Sequence, residues 1–98
     1  MFQHIVLLRW KFGTPESVID RIARALDDLS ARSTDLLDYR HGPNVGSDGR
    51  NWDYGVVASF AGVEAFERFR DDEHHLELIQ ELIVPWMADR AGIQIGTP

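Results

Sequence analysis

Polar and apolar positions alternate with two periods along this chain, and the two periods lay out its elements. From Gln3 to Lys11 the period is two, so His4, Val6, Leu8 and Trp10 share one face of a predicted strand. Ile5 and Leu7 lie on the other face, between Gln3 and Arg9. The strand is therefore apolar on both sides. A short chain covers one face of a sheet with its own helices, so the second face is expected to meet another copy of the chain. Phe12-Gly13-Thr14-Pro15 reads as a turn and helix start, with Thr14 as N-cap and Pro15 in the first helical position. Val18, Ile19, Ile22, Ala25, Leu26 and Leu29 then recur at helical spacing, and the helix is expected to fade at Ser30 to Ser33.

The period returns to two in a shorter, more polar strand from Leu36 to His41, and the turn formers from Gly42 to Arg50 predict a connection. Trp52 to Phe60 alternates again, with Trp52, Tyr54, Val56, Ala58 and Phe60 on one face. Gly62 to Arg70 is a short amphipathic helix carrying Val63, Phe66 and Phe69. Asp71 or Asp72 is expected to cap a following segment whose stripe is Leu76, Ile79, Leu82 and Ile83, with Pro85 bending or ending it. Ile93 and Ile95 fit a brief last strand. The order βαββαβ is the split βαβ pattern of an α+β, ferredoxin-like fold, here a single domain over 1–98.

Composition narrows the function. Ten basic against sixteen acidic residues give a formal charge of −6, and no cluster of Lys and Arg offers a nucleic-acid or anionic-membrane surface. Without cysteine there is no thiolate nucleophile and no sulfur-ligated metal, which suits a reducing cytoplasm. No stretch approaches the ~18 consecutive apolar residues of a membrane span, and no secretory signal is evident. The chain reads as a soluble cytoplasmic protein. The glycines between 42 and 49 match no phosphate-binding motif, and Trp10, Trp52 and Trp86 are most simply packing anchors.

The candidate chemistry lies in the histidines. His75, about three turns into the C-terminal helical region, shares the flank of Ile79, and His4 sits on the strand face that the helices cover. The two imidazoles are expected to converge on one cavity, with the Tyr54 phenol in the same layer. Imidazole accepts protons near neutral pH, so the trio is suited to deprotonating a carbon acid and polarising a carbonyl. The plain alternative is that each histidine caps backbone or sits hydrogen-bonded in the core. A metal site of His75, His4 and Asp71 or Asp72 is disfavoured, because the i,i+4 pair of zinc hydrolases is absent. Neighbours on a helix also diverge by ~100°, which separates His74 from His75.

The opening His-Ile-Val-Leu-Leu-Arg-Trp-Lys resembles the start of the stress-responsive dimeric α/β-barrel proteins, the Dabb family. The likeness continues through Gly42-Pro43-Asn44-Val45, Trp52-Asp53-Tyr54 to Phe60, Glu64-Ala65-Phe66 and Asp72-Glu73-His74-His75, where the family typically has His-Pro-x-His. It implies a ferredoxin-like monomer whose open face pairs with a twin to close a dimeric α/β barrel, with no cofactor. The family includes a plant polyketide cyclase of the olivetolic acid cyclase type, which closes a poly-β-ketone by aldol condensation. Its functional histidines fall at His4 and His75, its catalytic tyrosine at Phe69 and a further pocket histidine at Tyr54. The resemblance thus implies a homodimer with a small apolar or aromatic ligand. As an enzyme it would be a cyclase or isomerase of β-keto or phenolic substrates, with His75 as base, His4 positioning it and Tyr54 on the enolate. Two alternatives stand beside this. One is a non-catalytic stress-responsive or ligand-binding dimer. The other is a cofactor-free, monooxygenase-like barrel, whose usual pattern of Asn and Trp pocket residues is not evident here beyond Asn51 and Trp52.

Overall fold

The computed structural model describes residues 1–96. β1 (Phe2–Trp10) is followed by α1 (Glu16–Arg32), β2 (Leu36–Pro43), β3 (Tyr54–Phe60), α2 (Val63–Asp71), α3 (Glu73–Leu78) and β4 (Met87–Gly96). The strands form one antiparallel sheet in the order β2-β3-β1-β4. This is the expected ferredoxin-like βαββαβ arrangement, with the helical second crossover in two pieces.

β1 is central because it can be. Its backbone pairs with β3 from Phe2↔Phe60 to Leu8↔Tyr54, and with β4 from Phe2↔Gly96 to Trp10↔Met87. Both sets of backbone groups are thereby satisfied, and an apolar strand is stable only there. The inner face carries Leu8, Trp10, Tyr54, Val56, Ala58 and Phe60, all buried under the helices. α1 contributes Val18, Ile22, Leu26 and Leu29, the face its periodicity predicts, and Ile22 is fully enclosed. A second group joins Phe66 and Phe69 of α2 to Phe60 and Leu29.

The outer face of the sheet carries Ile5, Leu7, Val57, Ala91, Ile93 and Ile95, by register with inner-facing neighbours. Among the described residues no helix covers it, and Ile93 is 57 % exposed.

Several boundaries differ from the expectations, each for a local reason. Thr14 is not the N-cap of α1: Pro15 holds that position, and the Thr14 hydroxyl donates to the Lys11 carbonyl at 2.6 Å inside the preceding turn. That turn needs Gly13 at φ +82°, a left-handed conformation that glycine adopts without strain. β2 runs on to Pro43, and β4 spans ten residues rather than the short Ile93–Ile95 stretch. Asp89 and Arg90 break the apolar alternation of β4, yet the backbone keeps pairing with β1 past them. Trp52 and Asp53 leave β3, which starts at Tyr54. Trp52 lies against the Arg9 guanidinium at 4.7 Å. Asp53 serves the end of β1, donating its N–H to the Leu8 carbonyl (2.9 Å) and accepting the Trp10 N–H on its carboxylate (2.8 Å). The β1–β4 register shifts between Arg9 and Trp10, and the carboxylate anchors the strand end there.

The long helical region breaks at Asp72, whose backbone is extended (φ −60°, ψ 134°). Its carboxylate accepts the N–H groups of His74 (3.1 Å) and His75 (3.3 Å), the capping role expected of Asp71 or Asp72. α3 then loosens into a π-helical turn over Ile79–Ile83 and a 3₁₀ turn over Val84–Trp86, where Pro85 ends it. Removing the acceptor for Trp10 by Asp53→Ala is expected to lower stability by about 1–2 kcal/mol, measured as a shift of the urea midpoint at unchanged m-value.

Candidate active site

The break at Asp72 places His75 in the first turn of α3, beside the C-terminus of α2, rather than deep in one continuous helix. The last carbonyls of a helix lack intrahelical partners, and His75 serves one of them: its Nδ1 lies 2.9 Å from the Arg70 carbonyl oxygen. A carbonyl only accepts, so Nδ1 carries the proton and Nε2 keeps its lone pair. The ring packs on Phe69 at 4.7 Å between centroids.

His4 stands across the cavity on β1. Its Nδ1 lies 2.8 Å from the Gln94 side-chain nitrogen on β4, and its ring packs on Phe66 at 4.9 Å. An amide NH₂ only donates, so Nδ1 accepts and the proton of neutral His4 sits on Nε2. The two imidazoles line one cavity of about 220 Å³ between the helices and the sheet. One offers a lone pair and the other an N–H. Val6, Leu8, Val56 and Ile79 make much of the remaining wall apolar.

Both rings favour the neutral form. Burial lowers the His4 pKa, with Arg90 and then His75 adding to it. Burial also lowers that of His75, against the Arg70 carbonyl and the carboxylates of Asp72 and Asp71, which favour the charged form.

Tyr54 does not line this cavity. It is 2 % exposed, and its hydroxyl donates to His41 Nδ1 at 2.7 Å, while His41 Nε2–H donates to Asp27 Oδ1 at 2.7 Å. Its pKa is pushed up to about 12, by burial and then by Asp27. This chain of hydrogen bonds ties α1 to β2 and β3 and takes Tyr54 out of the layer it was expected to share with His4 and His75. The phenol in the cavity is Tyr39, two residues before His41 on β2. Period two from His41 links Tyr39 to that residue, but its inward aim follows from a register shift between Leu36 and Asp38 that the sequence does not announce. Phe69 lines the wall without a hydroxyl. Arg70 and Arg90 also line it, and neither was singled out from the sequence.

His74 lines a different cleft, of about 420 Å³, between α1 and α3. The divergence of helix neighbours thus separates the two adjacent histidines. Asn51 and Trp52 belong to the β2–β3 connection and line neither cavity. Among the described residues no group of three His, Asp or Glu side chains is placed to hold a metal ion, and no helix is long and apolar enough to cross a membrane.

A ferredoxin-like unit with one bare sheet face and a histidine-lined cavity under its helices defines a class of small α+β barrel-forming proteins. Within it, the chain belongs to the stress-responsive A/B barrel domain (Dabb) family, whose model matches residues 2–94. Among solved structures it is similar to a dimeric ferredoxin-like protein of unknown function from Thermobifida fusca YX. The two share 29 % identity over 98 % of this chain and 90 % of that one, with a TM-score of 0.90. A Dabb family protein from Mesorhizobium loti is 15 % identical over 99 % and 96 %, TM-score 0.84. The hydroxynitrile lyase of Passiflora edulis is 19 % identical over 96 % and 90 %, TM-score 0.83, a likeness of fold. No curated protein matches the chain.

Unfolding returns each imidazole toward its ordinary value of 6.5. Below that pH the unfolded chain binds more protons than the native one, so the histidine contribution to stability is complete above about 6.5 and lost as the pH falls. An NMR titration is expected to place both midpoints below 6.5. The drop in the urea midpoint between about pH 7.5 and about pH 5.5 is expected to shrink in His4→Gln.

Proposed function

We propose that residues 1–98 act as a single cytoplasmic domain that dimerises. Its cavity would serve a cofactor-independent cyclase or isomerase acting on a β-keto or phenolic substrate. The observation that carries this reading is the complementary pair of neutral imidazoles. His75 Nε2 accepts a proton from the carbon between two carbonyls. The electron pair of that C–H bond moves onto the adjacent carbonyl oxygen, and the enolate accepts a hydrogen bond from His4 Nε2–H. The Arg70 carbonyl on Nδ1 stabilises the imidazolium that forms on His75. Gln94 holds the tautomer of His4, which gives His4 the donor role first expected of Tyr54. A base of this kind contributes about 10²–10⁴-fold. That a protein of the same fold in Passiflora edulis is a hydroxynitrile lyase is in keeping with catalysis on this scaffold, by analogy of fold alone.

A second reading, a non-catalytic dimer that binds a small apolar ligand, is favoured by Phe69. That position holds the catalytic tyrosine in the cyclase the sequence resembles, and here it has no hydroxyl. The two readings part on turnover. Solvent deuterium exchange at the α-carbon of a panel of 3-oxo esters is expected to be accelerated by the protein, and His75→Gln to reduce that acceleration about 10²-fold or more. Unchanged exchange in His75→Gln would leave the binding dimer.

The homodimer rests on the outer face of the sheet. Ile5, Leu7, Val57, Ile93 and Ile95 make an apolar surface that water leaves costly, and the similar Thermobifida fusca protein is described as dimeric. Ile93→Asp places a charge on that face, beside Ile5. Analytical ultracentrifugation is expected to show a dimer for the parent chain and a monomer for this variant.

A further inference from the structure

The cavity holds two cations, and they are treated differently. Arg70 is held by a two-pronged contact with Asp71 at 2.8 and 2.9 Å and lies within 4.0 Å of Glu67. The Arg90 guanidinium has no hydrogen bond or ion pair among the described residues. It is solvent-exposed at the rim of the cavity, yet it is not extended away from the sheet. Arg90, Gly92 and Gln94 follow one another along the inner face of β4, opposite Leu8, Val6 and His4 of β1. A Cβ added to Gly92 would meet Arg90 Nη1 at 3.1 Å and Nη2 at 3.2 Å. The guanidinium therefore lies folded back over Gly92, at the cavity wall, in the direction of His4. The absence of a side chain at 92 makes its seat.

The surroundings say what it is set to meet. The remaining wall is mostly apolar and includes Tyr39, whose hydroxyl has no hydrogen-bond partner among the described residues. Burial raises the Tyr39 pKa, with Tyr54 and Asp27 adding to it, so this hydroxyl stays protonated and can donate. A planar guanidinium matches a planar carboxylate with two parallel N–H donors. One unpaired positive charge in a chain of net charge −6 balances a monoanion rather than a phosphate dianion. The apolar wall asks for a compact hydrophobic body on the same molecule.

We propose that the ligand of this cavity is a small aromatic or branched apolar carboxylate, anchored by Arg90 over Gly92, with its body against Val6, Val56 and Phe69 and an oxygen within reach of Tyr39. This deepens the reading of the cavity given above and rests on it. The carboxylate is the anchor and takes no part in the proton transfer. Arg90 is in this sense a specificity-determining residue for the acid over its neutral analogues.

The test compares 3-phenylpropanoate with 3-phenylpropanamide, followed by NMR through the ring resonances of His4 and His75. Those resonances report occupancy of the cavity itself. The parent chain is expected to bind the acid about tenfold more tightly than the amide. Arg90→Gln is expected to abolish that preference, and Arg90→Lys to restore part of it. Gly92→Ala keeps the charge and shifts the guanidinium by a few tenths of an ångström, and is expected to reduce the preference only in part. Equal binding of acid and amide to the parent, or an undiminished preference in Arg90→Gln, would overturn the assignment while leaving the cavity reading intact. If neither compound moves the two histidines, the cavity reading falls and this one falls with it.

Discussion

The double pairing of β1 is the constraint on which everything else in this molecule depends. A strand apolar on both faces is stable only if both its edges are hydrogen-bonded and both its faces are covered. β3 and β4 supply the edges. The helices supply one cover, and the other is the face on which the dimer proposal rests. Because β1 sits in the middle of the sheet, its inner face is also the floor of the cavity, and His4 is placed opposite whatever the helical crossover brings over it. The same strand therefore sets the core, the bare face and one half of the candidate site.

The other half depends on one interruption. Had the helix begun at Val63 run on unbroken, its last-turn carbonyls would have been consumed within it. Asp72 takes an extended conformation and caps a new helix instead, which frees the Arg70 carbonyl and sets His75 in reach of it. A local capping event thus decides the tautomer of an imidazole. Gln94 does the same for His4 from the opposite direction. Two histidines of one chemical type become a proton acceptor and a proton donor because different neighbours occupy their Nδ1 atoms. This link from backbone geometry to chemistry carries the proposed proton transfer, and Arg90 over Gly92 carries the proposed choice of ligand.

Much of this was legible beforehand because it depends on neighbours in the chain. The alternation of β1, the helical period from Val18 to Leu29 and the acidic cap before His74 are local patterns, and each appears in the structure. So does the convergence of His4 and His75, since a strand face and a helix flank each have a definite direction. Features that depend on distant residues differ from what the local pattern predicts. The strand face of Tyr54 is the one that faces the cavity layer, yet His41, thirteen residues away, claims its hydroxyl. Tyr39 faces inward through its pairing with Ala58, a long-range contact that β2's own pattern does not display. The last strand looked brief because Asp89 and Arg90 interrupt its pattern, while pairing with β1 carries the backbone through them.

By itself, then, the sequence determined the order and character of the elements, the two-sided first strand and the pair of histidines, because periodicity and capping act over a few residues. Tertiary structure alone decided which phenol lines the cavity, which nitrogen of His4 keeps its proton and which arginine is left without a partner. Those outcomes are set by hydrogen bonds and register between strands far apart in the chain, and a single sequence does not display which distant group will arrive first at a given donor.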